Sequence, residues 1–276
     1  MTTYRTHSRA WTIACTDLRQ LRQARDFWLP LAIIASLFFV ILPGFLLLVI
    51  TRVRNVELAQ QLSDVIGALP SAIQENVKGE SGPVQAGYAL AVYLFAPLAI
   101  VVPLTVSSAV GANTIIGERE RGSGEFLAHS PASEREIYAG KLIAALIPGY
   151  LTAAVGFGLY SLIVNLLVGP KVGGWFFPTT SWWVLMGWVL PPFIALALAM
   201  IVAISARVSS AAAAQQSSAL VTLPLILIAY SVASGSIFEG TLLALCIGAA
   251  AWIGAVLALI RASCAIRRDR LLGMGA

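Results

Sequence analysis

Residues Asn113–Lys141, NTIIGERERGSGEFLAHSPASEREIYAGK, decide how the rest of the chain is read. The stretch carries nine formal charges, on Glu118, Arg119, Glu120, Arg121, Glu125, Glu134, Arg135, Glu136 and Lys141. Long apolar runs flank it on both sides. A charge at the centre of a bilayer costs about 2.5–3.5 kcal/mol, so burying nine would cost roughly 20–30 kcal/mol before any pairing. The stretch therefore stays in water, and two membrane spans end at it. Within it, Gly122 and Gly124 break the incoming helix. Ser123 is placed to cap a short helix through Glu125, Phe126 and Leu127, which Ser130-Pro131 stops. Ser133-Glu134-Arg135-Glu136 then forms a capping box that starts the next helix, with acidic groups at its positive end. Two glycine breaks, a proline stop and a fresh cap make an elbow more structured than an ordinary hairpin loop.

Composition agrees with an integral membrane protein. Of the 276 residues 58% are hydrophobic and 11% charged, against roughly 25% charged in soluble domains, and the mean hydropathy is +0.84. Cys15, Cys246 and Cys264 lie far apart, and His7 and His129 have no partners at ligand spacing, so no metal or redox site is expected. The first apolar run starts late, is too long for a signal-peptide core and lacks a small-x-small exit, which argues against a cleaved signal peptide.

Working outward, the expected fold is all-α and polytopic, one transmembrane domain over 1–276. Residues 1–28 are basic and amphipathic. Trp11, Ala14, Leu18, Leu21 and Trp28 recur at helical spacing, with Arg9, Thr12, Arg19, Arg22 and Asp26 off the stripe. They form either a helix lying flat at the interface, arginines toward lipid head groups, or a basic tail that serves topology. Six spans are expected at 29–50, 86–115, 138–168, 184–206, 219–234 and 241–260, each near the roughly twenty residues a bilayer needs. Span five has the option of an earlier start, in the alanine run. The loop at 51–85 keeps a helical period through Leu58, Leu62, Val65, Ile66, Leu69 and Ile73, with Pro70 set to bend it. It is either an amphipathic surface helix or a packed loop. The water-bound elbow is 116–137, and 261–276 is a basic tail. Pro97, Pro103 and Pro191-Pro192 predict kinks. Thr105, Ser108, Ala109 and Ala112 form a small-residue face suited to helix packing, as do Ala250, Gly254 and Ala258. Trp175, Phe176, Phe177, Trp182 and Trp183 around Pro178 read as an aromatic belt at the outer interface.

Fourteen of the eighteen lysines and arginines fall on the side of the N-terminus, the elbow and the C-terminus, leaving Arg52, Arg54, Lys78 and Lys171 opposite. The positive-inside rule puts both termini and the elbow in the cytoplasm. There is no P-loop, since Gly140-Lys141 is followed by Leu142 and lacks a glycine-rich lead. HExxH, zinc spacings and a G-x-S-x-G elbow are also missing from the sequence. With Lys141 counted in the elbow, the spans hold no Asp, Glu, Lys or Arg. That argues against an autonomous proton pump or an embedded protease. It fits a path for lipid-like or amphipathic cargo driven by energy from outside. Thr105, Ser107, Asn113 and Asn165 remain as small polar groups, more suited to helix neighbours than to cargo.

The elbow resembles a known signature. Gly117 to Glu125 is similar to the E-x-E-x-G-T-x-E motif of ABC transporter permeases of the type-2 exporter family, with Ser123 for the usual threonine. Leu127-Ala128-His129-Ser130-Pro131 resembles the L-L-x-S-P continuation, with His129 for a small residue. Glu134 to Ile137 with Gly140-Lys141 resembles the R-x-E-I-x-x-G-K close. Ile13 to Arg25 resembles the A-x-K-D-L-R-x-x-x-R-D lead-in, matching at Asp17, Leu18 and Arg19, with Thr16 in place of a basic residue. The resemblance implies a transmembrane subunit without its own ATPase. ATP and Mg would bind a separate ABC ATPase subunit, and this chain would need no cofactor. The elbow would be the coupling helix, with Glu118, Glu120, Gly122, Ser123, Glu125, Phe126 and Leu127 bearing on the ATPase and Ser133 with Glu136 capping the helix that follows. The N-terminal helix would be the connecting helix. A second permease copy or a paralogue would complete an exporter in a bacterial plasma (inner) membrane, among membrane lipids and with no nucleic-acid partner. The rival class is a self-contained channel, facilitator or assembly scaffold with no ATPase.

Overall fold

The computed structural model describes residues 9–52, 64, 67, 74, 76–120, 129–205, 208, 211–231 and 241–265. Over these the chain is all-helical. The helices are α1 (Arg9–Gln23), α2 (Trp28–Arg52), α3 (Gly82–Ala89), α4 (Leu98–Glu120), α5 (Glu134–Leu167), the short α6 (Gly169–Val172), α7 (Thr180–Ile204), α8 (Ala211–Ser231) and α9 (Thr241–Ala265). Among the described residues five stretches are long and apolar enough to cross a membrane: α2, the run Gly82–Ala112 that joins α3 to most of α4, α5, α7, and Leu245–Ala262 within α9. Helix α8 has 21 residues, but Gln215, Gln216, Ser217 and Ser218 make its first half polar.

Helix ends move where local chemistry dictates. The loop expected to run to residue 85 ends at Ser81, because Pro83 suits the first turn of a helix that starts at Gly82. The helix expected from 219 begins at Ala211, where four alanines supply the strongest helix formers. Helix α5 starts at Glu134 under its cap and spans 34 residues, about 50 Å at 1.5 Å per residue. That exceeds the ~30 Å hydrocarbon core, so one end stands in water. Apart from Asp64 and Gly67, both helical, the expected amphipathic helix around Leu58 to Ile73 lies outside the described residues, as does the tail beyond Ala265.

Prolines explain the irregular turns. A proline ring collides with the carbonyl four residues earlier and brings no amide to bond it. Wide π-turns occupy Leu37–Ile41, Leu90–Leu94 and Leu185–Val189. They hold Phe39, Tyr93 and Gly187, the residues four before Pro43, Pro97 and Pro191. The widened turn moves the offending carbonyl aside. At Pro97 the helix breaks outright into a turn over 95–97, whereas α4 continues through Pro103.

Burial is uneven. The Gly82–Ala112 stretch and α7 are mostly enclosed, whereas α2 and the Leu245–Ala262 part of α9 are mostly exposed. Helix α4 packs on α5, α7 and α8, and α7 packs on α9. On α4, Ser108 meets α8: the Thr222 hydroxyl donates to Ser108 Oγ at 2.8 Å, and Ser218 Oγ donates to the Ser108 carbonyl at 3.5 Å. Leu29, Ile33, Leu37, Ile41, Phe45 and Leu48 leave one face of α2 exposed at a three- to four-residue spacing. That is the face of a helix meant for lipid or another subunit rather than water.

Candidate functional site

The elbow is built on the water-facing first turn of α5. Ser133 is the N-cap, with extended backbone. Its backbone N–H donates to Glu136 Oε2 at 2.7 Å, and the Glu136 N–H donates to Ser133 Oγ at 3.2 Å. These reciprocal bonds hold the Glu136 carboxyl below its ordinary value. The Ser133 amide does most, then the Ser133 hydroxyl, against a smaller opposing cost of burial, with Arg9 adding a weaker attraction.

Helix α1 lies against this end of α5. The Arg9 guanidinium donates to the Pro131 carbonyl at 2.6 Å. Ala10 and Ala14 are buried at the crossing. At Gly140 the approach is so close that a Cβ would lie 2.7 Å from the Ala10 carbonyl oxygen and 2.8 Å from Ile13 Cβ. Only glycine lets the two backbones come this near. At the next residue, Lys141 Nζ donates to Asp17 Oδ2 at 3.1 Å, with Lys141 1% and Asp17 17% exposed.

Two expectations change here. Lys141 does not stay in the aqueous elbow but is enclosed within α5, where the Asp17 carboxylate balances its charge. Nor does α1 turn its whole apolar stripe to lipid. Ala14 faces α5, Asp17 points inward beside it, and Trp11 stays exposed. A hydrophobic pattern puts Ala14 on the stripe but cannot show that it faces α5, because the charge of Asp17 beside it marks that side as solvent-facing. The useful signal lay in the pair itself, Asp17 in the lead-in and Lys141 in the close of the motif.

A second apolar cluster ties this end together. Ala132, Ile137 and Tyr138 pack with Ala199 and Val202 of α7 and Ala262 of α9, and Ile13 of α1 leans on the same cluster. The start of α5 and the ends of α7 and α9 therefore share one end of the bundle with α1. Of the residues expected to face an ATPase, Glu118 and Glu120 lie in the last turn of α4. Gly122, Ser123, Glu125, Phe126 and Leu127 lie outside the described residues, as does the side chain of Asn113.

At the opposite end, only part of the aromatic group forms a belt. Trp175 and Trp183 are 69% and 61% exposed, but Phe177 and Trp182 are buried. The helix break explains this. The amides of Phe95 and Ala96 bond to the carbonyls of Leu90 and Tyr93, and Pro97 has none. The carbonyls of Ala91 and Val92 instead accept from the Tyr160 hydroxyl at 2.5 Å and Trp182 Nε1 at 2.8 Å. Asn165, buried beside them, spends its whole amide on the loop and on its own helix. Its Nδ2 donates to the Ser161 and Phe177 carbonyls, and its Oδ1 accepts from the Phe176 and Phe177 amides. Asn165 and Ser107 are thus enclosed by protein, while Thr105 is exposed with its hydroxyl bonded to the Val101 carbonyl.

An apolar cleft of about 620 Å³ lies between α5 and α7, lined by Tyr150, Phe157, Gly158, Trp183, Met186 and Gly187 among others. A smaller one of about 260 Å³ lies between α2 and α5. Among the described residues no group of His, Cys, Asp and Glu could hold a metal ion.

No curated protein matches the chain. The family model described as ABC-2 family transporter protein matches residues 11–266, which takes in α1, the elbow and every described helix that follows. The chain belongs to the ABC-2 family of transporter proteins, as a membrane permease component of an ABC transporter.

Proposed function

We propose that this chain is the transmembrane subunit of an ATP-driven exporter, working with a separate ABC ATPase and with a second permease copy or paralogue. Membership of the family implies association with an ABC ATPase subunit. ATP and Mg bind on that partner. Closure of the ATPases pushes the elbow, the spans joined to it tilt, and the cavity between the two permease chains changes its access. Glu118, Glu120, Gly122, Ser123, Glu125, Phe126 and Leu127 form the surface that receives the push. The elbow and both termini lie in the cytoplasm, as the lysine and arginine distribution favours, and the membrane is a bacterial plasma membrane.

The observation that carries this reading is mechanical. The helix leaving the elbow is capped in its first turn and braced by α1 within two turns. A displacement of the elbow therefore reaches α5 as rigid-body motion instead of being absorbed by fraying. The test is a Glu125→Ala/Phe126→Ala double variant expressed with its ABC ATPase partner. The variant should insert normally, yet show weakened ATPase co-purification and at least a tenfold loss of ATP-dependent transport in proteoliposomes. Unchanged ATPase binding together with unchanged transport would remove the elbow from this role. A wild-type chain that retains no ATPase at all would return it to the class of self-contained channels or scaffolds.

A further inference from the structure

We infer that Asp17 and Lys141 are positioning residues that lock α1 to the elbow end of α5, so that the two helices move as one strut; the role in transport rests on the reading above. Three independent contacts meet within three turns of α1. Arg9 holds the Pro131 carbonyl just before the cap, Gly140 lets Ala10 and Ile13 sit directly on α5, and Asp17 pairs with Lys141. The first grips the elbow, the second sets the spacing and the third fixes the register along the axis.

The charge pair is the contact that specifies geometry. Packing of Ala10 and Ala14 on a glycine tolerates sliding, since small residues present a smooth surface. A lysine that is 1% exposed does not, because sliding by one helical turn would strand its charge in an apolar crossing. One long side chain paired across two helices is therefore a register pin, the use for which buried ionic groups are best attested. The pin lies directly beyond the elbow, so every motion entering α5 passes it. Helix α1 breaks from α2 at Ala24, whose backbone leaves helical angles at ψ 76. The strut thus comprises α1 and α5, with a joint between α1 and α2.

The experiment uses the full-length chain in nanodiscs, with Cys15, Cys246 and Cys264 replaced and spin labels at Gln20→Cys on α1 and Leu151→Cys on α5, both exposed positions. The wild-type background should give a single narrow distance distribution. Asp17→Asn should at least double its width, and Asp17→Glu should restore most of the sharpness by keeping the charge. A distribution in Asp17→Asn as narrow as in the wild type would overturn the pin. Should Asp17→Asn fail to insert, the double variant Asp17→Asn/Lys141→Gln, which leaves no unpaired charge, takes its place with the same expected broadening. In the ATPase complex the wild-type distance should stay fixed on adding ATP with vanadate, and transport per ATP hydrolysed should fall at least threefold in Asp17→Asn while the ATPase still co-purifies. A wild-type distance that shifts with nucleotide, or an unchanged transport ratio, would defeat the strut. Failure of the wild-type chain to bind an ATPase would instead defeat only the proposed function, because the distance measurements on the chain alone still decide the pin.

Discussion

The reciprocal bonds between Ser133 and Glu136 fix the first turn of α5. Ser133 and Glu136 sit three apart ahead of an apolar run, a spacing whose meaning is local and depends on nothing distant. Lys141 was not legible in the same way. Its place in a string of charges suggested water, and only the three-dimensional crossing brings Asp17, more than a hundred residues away, to neutralise it. The cap yields a test with a definite sign. Ser133→Ala should lower stability by about 1 kcal/mol at neutral pH, as loss of an N-cap side chain does. The lowered Glu136 value means that its contribution is complete well above the ordinary carboxyl value of 4.5 and is lost as the pH falls through the folded value. The gap between wild type and Ser133→Ala in thermal unfolding should therefore narrow as the pH is taken from near 7 to near 4.

For whole helices, proline positions announced irregularity near Pro97 and Pro191-Pro192 but not its form, while α4 runs on as helix through Pro103. Kinks at Pro97 and at Pro191-Pro192 were foreseeable from the missing amide. The π-turn placed ahead of each, and the use of Tyr160 and Trp182 to close the carbonyls left open, were not, because both depend on what another helix brings alongside. The aromatic residues at 175–183 carry one composition and two roles, and sequence cannot separate a Trp that faces lipid from one that donates to a broken helix. The split has a measurable consequence. Trp182→Phe leaves the Val92 carbonyl without its donor and should cost about 1–3 kcal/mol, the range for a buried group left unsatisfied. In a Pro97→Ala background, which restores an amide at the break, the same substitution should cost less than half as much. Equal costs in the two backgrounds, measured by unfolding in detergent, would separate Trp182 from the break.

Taken as a whole, the molecule has a hidden pair of helices, α4 and α7, wrapped by helices that show long apolar faces outward. The all-α architecture followed directly from the length of the apolar runs. The order of enclosure did not, since the buried stretch around Ser107 and Ser108 is less apolar than the exposed α2. Chain order and enclosure run against each other during synthesis. The second span emerges early, yet its wrapping is completed only when the partners from residue 180 onward arrive. Until then Ser108, whose partners Ser218 and Thr222 lie on α8, meets acyl chains instead. A nascent chain halted before Thr180 should consequently be an orphan that the cell's membrane quality control clears. Pulse-chase labelling of chains ending near residue 175 and near residue 265 should show the shorter one decaying several times faster, with biogenesis, not transport, setting the shortest length at which this protein persists.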